Sequence, residues 1–184
     1  MRVIAGKAKG RKLKSVPGPG TRPITDRAKS ALFSILGADV VGTRFLDLFA
    51  GTGGVGIEAL SRGAAAAVFV EQGGAALRTL RENLTHTQLA GNARVEPADV
   101  FAYLSHPPIP FDYIYVAPPQ YKGLWAETLR VLDRQPGWLE EDGWVIAQIH
   151  PREYAALALH NLIQFDQRSY GSVMLCFYTR TQAD

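Results

Sequence analysis

The chain has 184 residues, enough for one domain with a small appendage. Hydrophobic residues make up 47% of it, which supplies a sizeable core, yet no apolar run approaches the ~20 residues a membrane span needs. The lone cysteine, Cys176, excludes an intramolecular disulfide, and no apolar stretch follows the basic N-terminus as in a secretory signal. These observations predict a soluble cytoplasmic protein.

The net charge of +3 conceals an asymmetry. Residues 1–30 carry nine Lys/Arg and one acid, Asp26, a net of +8, whereas the other 154 residues sum to −5. A basic segment on an acidic body is the footprint of a polyanion partner. Arg2, Lys7, Lys9, Arg11, Lys12, Arg22 and Arg27 are therefore the candidate RNA contacts.

Residues 2–5 predict a short strand, and a basic turn leads from them to a second extended piece, forming a small N-terminal hairpin. Val16-Pro17-Gly18-Pro19-Gly20 breaks regular structure. Residues 1–20 are thus predicted to be a basic extension and 21–184 the main domain. Thr25 or Asp26 can cap a helix whose apolar face holds Ala28, Ala31, Leu32, Ile35 and Leu36, with Gly37 as its stop.

Strands are predicted at 44–49, 67–71, 94–99, 113–116, 144–149, 162–168 and 172–179. Helices are predicted at about 53–62, 73–88, 100–105, 123–134 and 151–158. Strands alternating with helices imply a parallel α/β sheet, and the turn at Tyr170-Gly171 implies one antiparallel member.

The densest signal is Phe45-Leu46-Asp47-Leu48-Phe49-Ala50-Gly51-Thr52-Gly53-Gly54-Val55-Gly56, an apolar strand running into a glycine-rich turn and a helix start. Main-chain N–H groups at such a turn suit an anionic ligand, and glycine allows its close approach. The spacing Gly51-x-Gly53-x-x-Gly56 also fits a dinucleotide fingerprint. Glu71 ends the next strand 20 residues on and can accept hydrogen bonds from a ribose, of either NAD or S-adenosylmethionine. Asp47 tips the choice toward S-adenosylmethionine, because a carboxylate beside the loop can face an ammonium group but repels a pyrophosphate.

The chain resembles the RsmD family of bacterial 16S rRNA guanine-N2 methyltransferases along nearly its full length. The resemblance is carried by Arg2-Val3-Ile4-Ala5-Gly6-Lys7, Thr21-Arg22-Pro23-Ile24-Thr25-Asp26-Arg27, the Leu46 to Gly53 turn, Gly56 to Gly63, Val70-Glu71 and Tyr170-Gly171. It implies a seven-stranded Rossmann-like sheet of order 3-2-1-4-5-7-6, S-adenosylmethionine as donor, and methyl transfer to the exocyclic amine of a guanine in small-subunit rRNA. By motif, Asp47, Phe49, Ala50, Gly51, Thr52 and Gly53 hold the methionine end of the cofactor. Glu71, with Gln72 beside it, takes the ribose, and Asp99 and Val100 take the adenine. The implied partner is 16S rRNA or an assembling 30S subunit, met by a monomer without a metal ion.

One departure is plain. Amino-methylating enzymes of this kind carry Asp or Asn, then Pro-Pro, then an aromatic residue after the fourth strand, whereas this chain has Ala117-Pro118-Pro119-Gln120, with Tyr121 one place later. The reading adopted is that the carbonyl of Ala117 or Pro118 and the Gln120 amide hold the base, and Tyr121 stacks on it. The competing readings are a methyltransferase for another base or amine, a non-catalytic protein that binds S-adenosylmethionine and RNA, and, last, an NAD oxidoreductase. His86, His106, His150 and His160 lack ligand spacing, so no metal site is predicted. Truncating residues 1–20 is expected to weaken RNA binding and to leave cofactor affinity similar.

Overall fold

The computed structural model describes residues 1–17 and 23–182. A seven-stranded sheet forms its centre, in the order β3-β2-β1-β4-β5-β7-β6, as the family resemblance implies. The strands are β1 (Arg44–Leu48), β2 (Ala66–Glu71), β3 (Ala93–Pro97), β4 (Phe111–Val116), β5 (Leu139–Ile149), β6 (Leu162–Tyr170) and β7 (Val173–Arg180). The first five are parallel, and β7 runs antiparallel between β5 and β6.

Among the described residues, five α-helices cover the sheet: α1 (Asp26–Leu36), α2 (Gly54–Ser61), α3 (Gly74–His86), α4 (Val100–Leu104) and α5 (Leu124–Arg134). The two-residue alternation of the strands divides the core. Phe45, Ala67, Phe69, Tyr113 and Ile146 pack on one face with α1, α2 and α3. Leu46, Leu48, Val68, Val70, Ile114 and Val116 pack on the other with α4 and α5. Strands buried on both faces read as near-continuous apolar runs, which is why they were legible.

The differences from the predicted elements have local causes. β3 ends at Pro97 rather than Asp99, because Asp99 leaves the strand to cap α4, its Oδ1 accepting the N–H groups of Phe101 and Ala102. β5 starts at Leu139, which pairs with Phe111 before a register shift, so Asp142-Gly143 lies inside a strand rather than before one. The predicted helix at 151–158 is a single 3₁₀ turn, Pro151–Glu153. Asp133 at the end of α5 captures the N–H groups of His160, Asn161 and Leu162, drawing the incoming chain into an extended path.

The N-terminal hairpin is held by the antiparallel pairing of Arg2 with Lys12 and by the N–H groups of Val3, Gly10 and Leu13, which donate to the carbonyls of Arg11, Val3 and Met1, and it packs firmly on the body. Val3, Ala8 and Leu13 are buried in the α1–α3 core. Burying a Val or Leu side chain contributes roughly 1.5–3 kcal/mol each. Glu58 of α2, fully buried, accepts the N–H groups of Ile4 and Ala5, pairs with Lys29 at 3.3 Å and accepts from Arg62 at 2.9 Å. The Lys29 ammonium, also buried, donates to the Arg2 carbonyl at 2.7 Å. Burial lowers the Lys29 pKa and Glu58 opposes that shift. Lys29 therefore belongs to the fold, not to the basic surface its sequence position suggests.

Candidate active site

The parallel strands bring their carboxyl ends to one edge, and β1 and β4 are neighbours at the centre, where the strand order reverses. Ligands of open α/β sheets bind at such a switch point. The loop after β1 and the proline segment after β4 start side by side, because Leu48 pairs with Val116. The β6–β7 turn at Tyr170-Gly171 reaches the same edge, because Met174 pairs with Ile149 at the end of β5.

The loop from Phe49 to Gly53 is tightly bound. Phe49, Gly51 and Gly53 take left-handed backbone angles. Ala50 N–H donates to Val70, and Gly53 N–H donates to Ala50. Glu71 at the end of β2 braces the loop, its Oε2 accepting Gly51 N–H at 2.8 Å and its Oε1 accepting the N–H groups of Gln72 and Gly73. Gly56 allows α2 to lie close to the sheet, since a Cβ there would come within 2.3 Å of the Phe69 ring.

Asp47 lies beneath this loop and is 2% exposed. Its Oδ2 accepts Gly56 N–H at 3.0 Å, and its Oδ1 has no hydrogen-bond partner among the described residues. Burial raises the Asp47 pKa well above the usual carboxylate value; the Gly56 bond opposes the rise and the charge of Glu71 adds to it. Beside it on β4, the buried Tyr115 hydroxyl donates to Gln148 of β5. Asp99 is exposed, with one oxygen engaged in its cap, and Val100 is buried against the α4–α5 core.

On the β4 side, Ala117, Pro118 and Gln120 are half-buried and Pro119 is exposed, so the ledge is not covered by packed side chains. Tyr121 is 63% exposed with φ 61°. Its N–H donates to Glu153 Oε1 at 2.6 Å, and its ring lies 5.7 Å from that of His150.

Residues 1–179 match the family described as conserved hypothetical protein 95. The chain is 38% identical to the Bacillus subtilis "Putative rRNA methyltransferase YlbH", covering 98% of this chain and 99% of that one. It is 39% identical over 148 residues to the Escherichia coli K12 Ribosomal RNA small subunit methyltransferase D, covering 80% of this chain and 74% of the relative. This chain belongs to the RsmD-type rRNA methyltransferase family. The solved structure of the Escherichia coli "Putative methyltransferase yhhF" superposes on it with a TM-score of 0.86 at 34% identity, covering 98% and 97% of the two chains.

The basic residues that the RsmD-type reading assigns to RNA fall into groups. Lys7, Lys9, Lys12 and Arg27 are exposed and make no ion pair among the described residues. Arg2 lies 3.7 Å from Asp26, and Arg11 donates to the His86 carbonyl. Arg22 lies outside the described residues. Cys176 is buried, its thiol pushed up to about 12 by desolvation, in keeping with an inert core position.

Sequence reasoning missed three groups near the site. Asn83 of α3, fully buried, donates to the carbonyls of Thr52 and Lys14 and accepts Lys14 N–H, joining the hairpin to the glycine loop. Glu153 meets Tyr121 across 32 residues of sequence, and His150 lies against the same ring. None of these residues sits in a spacing that announces a role.

Proposed function

We propose that this protein transfers a methyl group from S-adenosylmethionine to the exocyclic N2 amine of a guanine in small-subunit rRNA. The observation that carries the reading is the adjacency of a carboxylate-backed glycine loop and an open proline ledge on neighbouring strands.

The side chains at the loop fit the cofactor. A desolvated carboxylate with one unpartnered oxygen, as at Asp47, suits a cationic amine. Glu71 keeps lone pairs for ribose hydroxyls, and the second oxygen of Asp99 is open to an adenine amine. The loop from Phe49 to Gly53, with Gln72 and Val100 at the neighbouring strand ends, completes the set. When bound, S-adenosylmethionine supplies an electrophilic methyl group, and the protein's task is to position and desolvate the acceptor.

A guanine amine is a weak nucleophile because its lone pair is delocalised into the ring. An acceptor on one amine N–H turns that lone pair toward the methyl carbon. Ala117 offers no side-chain acceptor, so the carbonyls of Ala117 and Pro118 and the Gln120 amide take that role. Pro118 and Pro119 have no N–H to compete for those contacts and stiffen the ledge. Tyr121 stacks on the extruded base, a contact worth ~1–3 kcal/mol in comparable cases. Lys7, Lys9, Lys12 and Arg27 engage phosphates of 16S rRNA, in the assembling 30S subunit or free, with the protein acting as a cytoplasmic monomer.

The test is mass mapping of 16S rRNA and of undermethylated 30S subunits after incubation with the protein and S-adenosylmethionine. One methylated guanine supports the proposal. A modified base other than guanine, or unmodified RNA despite measurable cofactor binding, overturns it.

A further inference from the structure

A single carboxylate joins two loops at the substrate edge. Glu153 Oε1 accepts Tyr121 N–H at 2.6 Å, and Glu153 Oε2 accepts His150 N–H at 3.1 Å. The loop after β4 is thereby tied to the loop after β5. His150 is fixed from its own side as well, its Nδ1 accepting Arg152 N–H at 3.1 Å. Its ring lies against that of Tyr121, 5.7 Å between centroids with 39° between planes.

Tyr121 is an unusual residue to hold so firmly. It is 63% exposed, so its ring adds little to the core. Its φ of 61° is left-handed, a strained conformation for a residue that bears a side chain. An exposed aromatic side chain kept in a strained backbone by a charged acceptor, with a second ring against it, is preorganised for a ligand rather than for packing. A flat aromatic ring is the ligand such a surface takes, and the proline ledge immediately precedes Tyr121 in the chain.

We propose that Glu153 is a positioning residue: through the Tyr121 N–H it sets the tyrosine ring as the stacking wall for the target base, with His150 as its backing. The inference rests on the reading of this edge as the base site. Glu153 touches neither base nor cofactor; it acts through Tyr121. It also resolves the shifted aromatic position, because a side chain one place beyond the usual one needs a different backbone course to reach the same base.

The experiment compares Glu153→Ala, Glu153→Gln, Tyr121→Ala and the double variant E153A/Y121A in methyl transfer to RNA, with cofactor affinity and thermal midpoint measured alongside. Tyr121→Ala is expected to lower kcat/KM for RNA about 5- to 150-fold. Glu153→Ala is expected to lower it to a similar extent, and Glu153→Gln, which keeps one acceptor for Tyr121, less. The double variant should match Y121A alone, because removing the support of a ring already absent changes nothing further. Cofactor affinity should stay within about twofold throughout. Independent, additive losses, or an E153A variant that transfers methyl like the wild type, overturn the inference while leaving the function standing. A wild-type protein that does not modify guanine at all overturns the underlying reading instead. Fluorescence of 2-aminopurine at the target position supplies a readout independent of turnover: its quenching should weaken in E153A and Y121A alike, and unchanged quenching in E153A counts against the proposal.

Discussion

Replacing Asp47 by Asn separates the cost of this carboxylate from its use. It is 2% exposed, with one oxygen bonded to Gly56 N–H and the other unpartnered among the described residues. Burial, as the dominant cause, raises its pKa well above the ordinary carboxylate value. The sign follows from linkage. Above pH ~4 the unfolded chain releases this proton readily while the folded chain retains it, so stability falls as pH rises toward the raised value. Asn keeps an acceptor for Gly56 and carries no charge. The free D47N protein should therefore melt at a higher temperature than the wild type at neutral pH, and the two should converge below pH ~4.

Cofactor binding should respond in the opposite direction. Loss of a charge-assisted hydrogen bond costs about 1.5–3 kcal/mol, which corresponds to a dissociation constant for S-adenosylmethionine weaker by roughly 10- to 150-fold. Wild-type binding should also release a proton where Asp47 is protonated in the free protein, and its affinity should rise with pH across that window. Thermal melts from pH 4 to 8 and calorimetry in two buffers of different ionisation enthalpy measure both effects. Wild-type affinity in D47N, or a lower melting temperature for free D47N at neutral pH, would refute the reasoning.

Other perturbations read the remaining parts. Lys29→Met leaves the buried Glu58 with Arg62 as its remaining cation. Because Ile4, Ala5 and Arg62 still bond it, the loss of stability should lie near the low end of the range for such a break, about 3 kcal/mol, measured by urea unfolding. Substituting Lys7, Lys9 and Lys12 together by Ala should flatten the salt dependence of RNA binding by roughly 0.7–0.9 in log–log slope for each phosphate no longer neutralised, with cofactor affinity unchanged in calorimetry. Ala117→Asp should change methyl-transfer turnover by less than about tenfold; a gain of orders of magnitude would show that the ledge lacks a group it needs.

Much of the fold was legible because its central strands are buried on both faces and α1, α3 and α5 repeat with a single apolar stripe. Phe45, Leu46 and Leu48 could be assigned to a strand from character alone. The glycine loop was legible because its backbone angles and the close approach at Gly56 require particular residues. What failed to show were contacts made by ordinary polar side chains over long sequence distances. Asn83, Glu153 and the Lys29–Glu58 pair obey no local spacing, and their roles depend on which loops the sheet order brings together. Lys29 shows the same limit in reverse, since it counts toward the basic N-terminal segment while its side chain is buried with Ala28 and Leu32 and paired to Glu58.

The placement of Asn83 changes how the basic hairpin can be studied. Its amide donates to the Thr52 carbonyl in the glycine loop and to the Lys14 carbonyl at the end of the hairpin, and its oxygen accepts Lys14 N–H. Met1 lies against Gly54 at the start of α2, and Val3, Ala8 and Leu13 fill the adjoining core. Removing residues 1–20 would therefore open that core, leave the buried Asn83 oxygen without its partner and its nitrogen with Thr52 alone, strip Glu58 of the Ile4 and Ala5 N–H groups while Lys29 and Arg62 remain, and loosen the loop proposed to hold the cofactor. The expectation that truncation weakens RNA binding while sparing cofactor affinity does not survive this packing: both should fall. Charge removal at the exposed lysines leaves every one of these contacts in place, so it isolates the electrostatic attraction to RNA from the integrity of the site.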